Sequence, residues 1–91
     1  MRLRKELRLR KVGKDYIIVE PGQDKVDMVK VFTLNESAAW LWEQVEGNNF
    51  SRDDLTKLLL EKYDVAPEKA SEDVESLIAV FHTQNFLEER E

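Results

Sequence analysis

The stretch Leu34-Asn35-Glu36-Ser37-Ala38-Ala39-Trp40-Leu41-Trp42-Glu43-Gln44-Val45-Glu46-Gly47 constrains the fold more than any other part of this chain. It follows a β-rich segment directly and opens a helical half. Asn35 is a good N-cap, because its side-chain oxygen can accept an orphan N–H of the first turn. Leu34, Ala38, Leu41, Trp42 and Val45 recur at helical spacing and share one face, and Gly47 supplies the stop. Trp42 is in phase with that face and reads as core. Trp40 is out of phase, at the helix flank, where an indole either meets a partner or covers the edge of a small core.

Before this helix, Leu3, Leu7 and Leu9 alternate with Arg4, Glu6, Arg8 and Arg10, the period of a strand with one buried face. Gly13-Lys14-Asp15 has hairpin length, and Tyr16-Ile17-Ile18-Val19 is apolar on both faces, as a central strand is. Pro21-Gly22 ends that strand, Gln23 to Asp27 reads as a polar loop, and Met28 to Leu34 as a third strand with Lys30 as gatekeeper. After Gly47, Ser51 and Asp54 form a capping box, with Phe50 and Leu55 as its hydrophobic staple. Leu55, Leu58, Leu59 and Tyr63 then make a buried stripe. Pro67 suits the first turn of another helix, whose core face is Ala70, Val74, Leu77, Ile78 and Phe81. Asn85 reads as a left-handed terminator, after which Phe86-Leu87 folds back on the core. The expected class is therefore α+β, one small winged-helix-like domain over residues 1–91. Strands at about 6–12, 15–20 and 28–34 form a three-stranded antiparallel sheet, followed by helices at about 36–46, 52–63 and 67–84.

At 91 residues with 42% hydrophobic and 36% charged side chains, the chain can bury one modest core. It has no cysteine, so disulfides, thiolate metal sites and cysteine nucleophiles are excluded. The basic start Met1-Arg2-Leu3-Arg4-Lys5 lacks the apolar run of a signal peptide, and no segment nears the roughly 20 apolar residues of a membrane span. A cytoplasmic domain with no membrane partner is expected. His82, the sole histidine, has no ligand-type residue at i±4 and reads as a surface residue. The adjacent acids Asp53-Asp54, Glu72-Asp73 and Glu88-Glu89 diverge on a helix, and no nucleophile–base pair or phosphate-cradling loop can be assembled. No catalytic residue, cofactor or metal site is expected.

The order of these signals resembles the PqqD-like family, the RiPP recognition elements that hold the leader of a ribosomally made precursor peptide for a modifying enzyme. Leu34 to Gly47 carries most of the likeness. Ser51, Leu55, Leu59 and Tyr63-Asp64-Val65 fit the family's second helix and turn, and Asp73-Val74, Leu77-Ile78 and Phe86-Leu87 its third helix and terminal apolar pair. The resemblance implies a non-catalytic binding module whose partners are a leader peptide and a modifying enzyme, most often a radical S-adenosylmethionine enzyme. It implies that the third strand accepts the peptide and that the third helix forms the other wall of the groove. The implied peptide site is Val29, Lys30, Val31, Phe32 and Thr33 with Asp73, Leu77, Val80 and Gln84. Val80 lies off the core stripe, so it is either groove wall or an isolated exposed valine.

Charge leaves two further questions open. Residues 1–14 hold seven bases and one acid, whereas residues 15–91 hold seven bases and eighteen acids. The basic segment either lies against its own acidic body or meets an acidic partner. The third helix carries Glu68, Glu72, Asp73 and Glu75 against Lys69 alone. A leader is then basic or apolar there, or its acids meet Lys30 and the arginines of the first strand. A winged-helix DNA-binding regulator is the competing class, but its reading helix would be acidic and repelled by a duplex. A protein-interaction subunit without a peptide substrate is a third. A monomer or weak homodimer is expected, with no nucleic-acid partner.

Overall fold

The computed structural model describes residues 1–20 and 30–88, with backbone alone for Lys30 and Val31. The expectations for Pro21-Gly22, the Gln23–Asp27 loop, Met28, Val29 and Glu89 lie outside the described residues. Three strands, β1 (Arg8–Val12), β2 (Asp15–Glu20) and β3 (Lys30–Leu34), precede three helices, α1 (Glu36–Val45), α2 (Arg52–Lys62) and α3 (Pro67–Thr83). The sheet is antiparallel in the order β1-β2-β3. Gly13, at φ +63°, opens the two-residue β1–β2 loop, so Asp15 already pairs with Val12.

The row Leu9–Ile18–Phe32 lies across the sheet, with Ile18 buried and its two neighbours packed on the core. This row faces the helices. Strand alternation then turns Arg8, Arg10, Ile17, Val19 and Thr33 to the opposite face. β1 begins at Arg8 rather than residue 6, because Lys5 and Glu6 form a turn. Leu3 and Leu7 are both buried, but from either side of that turn. Leu3 forms its own bridge with Leu87, beside hydrogen bonds from Arg4 N to Phe86 O (2.9 Å) and from Glu88 N to Arg2 O (2.8 Å).

Three helix ends are closed by the residues expected to close them. Asn35 Oδ1 accepts Ala38 N at 2.8 Å. Ser51 and Asp54 satisfy one another's backbone N–H groups at 3.1 and 2.9 Å. At the end of α3, Asn85 (φ +62°) turns the chain, with Phe86 N bonded to Phe81 O (2.8 Å) and Asn85 N to His82 O (3.2 Å). That pair of bonds is a Schellman motif, and it aims Phe86 into the core.

The core is aromatic at its centre. Trp42 and Phe81 are fully buried, and the Trp42 ring stands edge-on to Phe81 at 5.8 Å and to Phe86 at 5.5 Å. Phe50 joins through Phe81 at 6.3 Å, and Phe32 through Phe86 at 5.9 Å. Trp40 covers the core's edge: it is half-buried, edge-on to Tyr63 at 6.2 Å, with Lys62 Nζ 5.4 Å from its ring. Trp42 Nε1 has no acceptor among the described residues, so packing rather than hydrogen bonding holds this ring. We expect Trp42→Ala to lower stability by about 3–5 kcal/mol. Trp42→Phe should cost less, about 1–2 kcal/mol, because it removes the unpaired donor along with part of the ring. Trp40→Ala should cost about 2 kcal/mol, an edge contact between rings together with the burial of part of the indole. Urea melts of the three variants measure these costs.

Candidate functional site

Among the described residues, each outer strand of the sheet is paired on one side only, but the two differ in what lies beside the other side. β3 is paired to β2 alone among the described strands, so the hydrogen-bonding groups along its other side face away from the sheet. Beside it is a cleft of about 430 Å³ whose opposite wall is α3. Phe32, Thr33 and Leu34 form the strand side. Leu77 and Val80 supply apolar surface from α3, with Ser76 one turn before Val80 and Lys69 and Asp73 toward the helix start. The floor is Leu41 of α1 and Leu59 of α2, and the N-terminal turn of α1 closes one end with Asn35, Ser37 and Ala38.

Helical geometry explains the α3 wall. Val74, Ile78 and Phe81 point into the core and are buried. Leu77 and Val80 are rotated to one side of that stripe. Leu77 remains 8% exposed and Val80 is half-buried, packed against the core's margin. A helix with a stripe wider than its core contact therefore leaves an apolar flank, and here it faces β3. At the polar end, Lys69 Nζ meets Asp73 Oδ1 at 3.1 Å, an i,i+4 pair with both side chains substantially exposed. The pair balances the charge of the cleft mouth and contributes little to stability. Ser37 Oγ donates to Asn35 Oδ1 at 3.2 Å, and Asn35 Oδ1 is already committed to capping α1.

Of the residues expected to form a groove, Phe32, Thr33, Asp73, Leu77 and Val80 line the cleft together. Lys30 and Val31 belong to β3, at its start, and Val29 lies outside the described residues. Gln84 is not among the lining residues. It is the C-cap of α3, its backbone N–H bonded to Val80 O at 2.8 Å, one turn past the end of the cleft. Helical phase aligns Gln84 with Val80, but phase says nothing about where the opposite wall stops. Leu34, Leu41 and Leu59 were readable as core but not as cleft lining, since burial and lining coincide here. Asn35, Ser37 and Ala38 enter because the β3–α1 junction is tight, and the adjoining cap was the signal for that. Lys69 and Ser76 share the flank of Asp73 and could have been found at i−4 and i+3.

Among the described residues, no group of histidine and carboxylate side chains could hold a metal ion, and no helix is long and apolar enough to cross a membrane. His82 is exposed.

A family model described as coenzyme PQQ synthesis protein D (PqqD) matches residues 16–87, from the second strand to the bridge with Leu3. The chain belongs to the PqqD family. No curated protein matches it. Among solved structures it is similar to TbiB1 in complex with the TbiA(β) leader peptide, with a TM-score of 0.73 over 100% of this chain and 99% of that one. Sequence identity is 11%, so this likeness is one of fold. It covers the whole three-strand, three-helix arrangement on which the cleft is built.

The cleft's apolar flank should be separable from the core. Val80→Asp is expected to lower stability by no more than about 1–2 kcal/mol, because a half-buried carboxylate keeps part of its hydration. A thermal melt as poor as that of Trp42→Ala would place Val80 in the core.

Proposed function

We propose that this chain is a RiPP recognition element, which binds the leader of a ribosomally synthesised precursor peptide and presents the rest of that peptide to a modifying enzyme. The observation that carries the reading is the open edge of β3 beside an apolar wall from α3. An extended peptide adds to β3 as a fourth strand. Its backbone bonds to the strand edge supply affinity, and its alternate side chains enter the cleft. Membership of the PqqD family supports this, as does likeness in fold to a protein solved with a leader peptide.

The chemistry of the cleft sets what the leader must offer. Phe32, Leu77 and Val80 favour a branched aliphatic or aromatic side chain. Burying one such side chain is worth about 1.5–3 kcal/mol. Lys69 and Asp73 leave no net charge at the mouth, so apolar contact rather than charge decides which leader binds. Thr33, Asp73, Leu77 and Val80 act as peptide-contacting residues, with Lys30, Val31 and Phe32 continuing the strand.

The domain supplies no bond-making group. Its contribution to rate is to raise the effective concentration of the peptide at the enzyme and to fix its direction of entry. The enzyme is of the radical S-adenosylmethionine class or another peptide-modifying class, and the encounter takes place in the cytoplasm, where the precursor is made.

Titration of labelled protein with the leader of a short precursor encoded near its gene should move backbone amides of Lys30–Leu34 and of Ser76–Val80. Val80→Asp, folded, should bind the same peptide at least tenfold more weakly, a loss of about 1.4 kcal/mol or more. Shifts centred on α2 or its turn to α3 would overturn the proposal.

A further inference from the structure

The basic segment is divided in space. Arg2 and Arg4 are turned inward. Arg2 lies 4.0 Å from Glu88, while Arg4 bonds Glu20, Glu6 and, at 2.7 Å, the Asn85 carbonyl. The bond to Glu20 raises the Arg4 pKa above its ordinary value, so this guanidinium is committed to holding the N- and C-terminal segments together. Lys5, Arg8, Arg10, Lys11 and Lys14 are exposed, and none is ion-paired to a described residue.

The register places two of these cations on the sheet face that the helices leave uncovered. Arg8 stands opposite Val19, and Arg10 opposite Ile17. Ile17 and Val19 are half-buried, Val12 is 56% exposed, and none of the three belongs to the core or packs against it. The face is thus a short aliphatic strip bordered on its β1 side by two arginines. Aliphatic surface bordered by arginines has the composition of a protein–protein interface. A nucleic acid would engage the arginines and leave the aliphatic strip in water. It would also meet a chain whose net charge is −5.

Position argues further. The arginines lie on β1, two strands and about 10 Å from β3 at the usual strand spacing; Ile17 and Val19 lie on β2, opposite Thr33 and Val31 of β3, and the strip is on the opposite face from the cleft. A protein seated there leaves the β3 edge free.

We propose that this outer face of the β1–β2 hairpin is the docking surface for the peptide-modifying enzyme, through an enzyme surface with an aliphatic patch bordered by acidic side chains, while the leader occupies β3. The proposal rests on the peptide-binding reading above and adds to it a second, separate surface.

The test measures two affinities on the full chain. Leader binding is followed by fluorescence anisotropy. Binding to the purified peptide-modifying enzyme encoded beside this chain's gene is followed by biolayer interferometry at about 50 and about 300 mM salt, which brackets strong and weak screening. Arg8→Glu/Arg10→Glu should bind leader within twofold of wild type and the enzyme at least tenfold more weakly, and Val12→Glu should weaken the enzyme alone. Arg8→Lys/Arg10→Lys should retain most of the enzyme affinity, and wild-type affinity for the enzyme should fall with salt. Enzyme binding that is unchanged in both glutamate variants, or absent in wild type, overturns the docking surface. Displacement of the enzyme by equimolar random-sequence duplex DNA overturns it too, by making the face a general polyanion site. Wild-type protein that binds the enzyme but no leader would instead sink the peptide-binding reading beneath it.

Discussion

The structure depends on one junction, the edge-to-face contact of Trp42 with Phe81 and Phe86. These rings come from α1, α3 and the segment after α3, and their contact ties the three together at the centre of the core. Phe86 reaches the junction only because Asn85 adopts a left-handed conformation and ends α3 in a Schellman turn. From Phe86 the contact passes to Phe32, so the strand that borders the cleft is fastened to the same cluster. In a chain this small, with all four phenylalanines linked through these rings, the spacing between β3 and α3 is a consequence of aromatic packing. Altering any of these rings therefore alters the width of the cleft as well as the stability of the fold.

α3 serves both purposes at once. Its inward residues Val74, Ile78 and Phe81 are core, while Val80 and the remaining exposed part of Leu77 form the cleft wall. Because a single helix rotates both sets of side chains together, the wall cannot move without disturbing the core. A peptide seated between β3 and α3 would accordingly stabilise the whole domain by mass action. Pre-formed walls also reduce the ordering cost of binding, which for an extended peptide is the main opposing term.

Much of this was legible in the sequence because local rules acted alone. Asn35, Ser51 with Asp54, Pro67 and Asn85 are capping and breaking signals whose chemistry operates within four residues, and each marks a helix end in the structure. The phase of Leu41, Trp42 and Val45 fixed which side of α1 is core. The period of Leu3, Leu7 and Leu9 was correct about burial but not about continuity. Leu3 and Leu7 are buried from either side of a turn, and alternation cannot distinguish that from one strand. For the cleft, the strand and the flank of α3 were readable from their own patterns. Its floor and closed end were not, since Leu41, Leu59 and Ser37 acquire their place only when three helices are packed.

The two open sides of the sheet show how charge and shape divide a common hazard. An unpaired strand edge invites association with any other edge, and proteins suppress this with charges or with cover. β1 is protected by charge: Arg8, Arg10 and Lys11 all project from it exposed, so another basic edge is repelled. β3 is flanked by α3 across the cleft, so whatever pairs with it must fit beneath a helix and offer apolar side chains to Phe32, Leu77 and Val80. A single extended peptide meets both conditions. A second sheet does not, because its next strand would lie about 4.8 Å further out, on the side where α3 stands. The same geometry that makes the β3 edge available to a peptide thus keeps it from general aggregation, and the charge on β1 leaves that side open only to a partner of opposite sign.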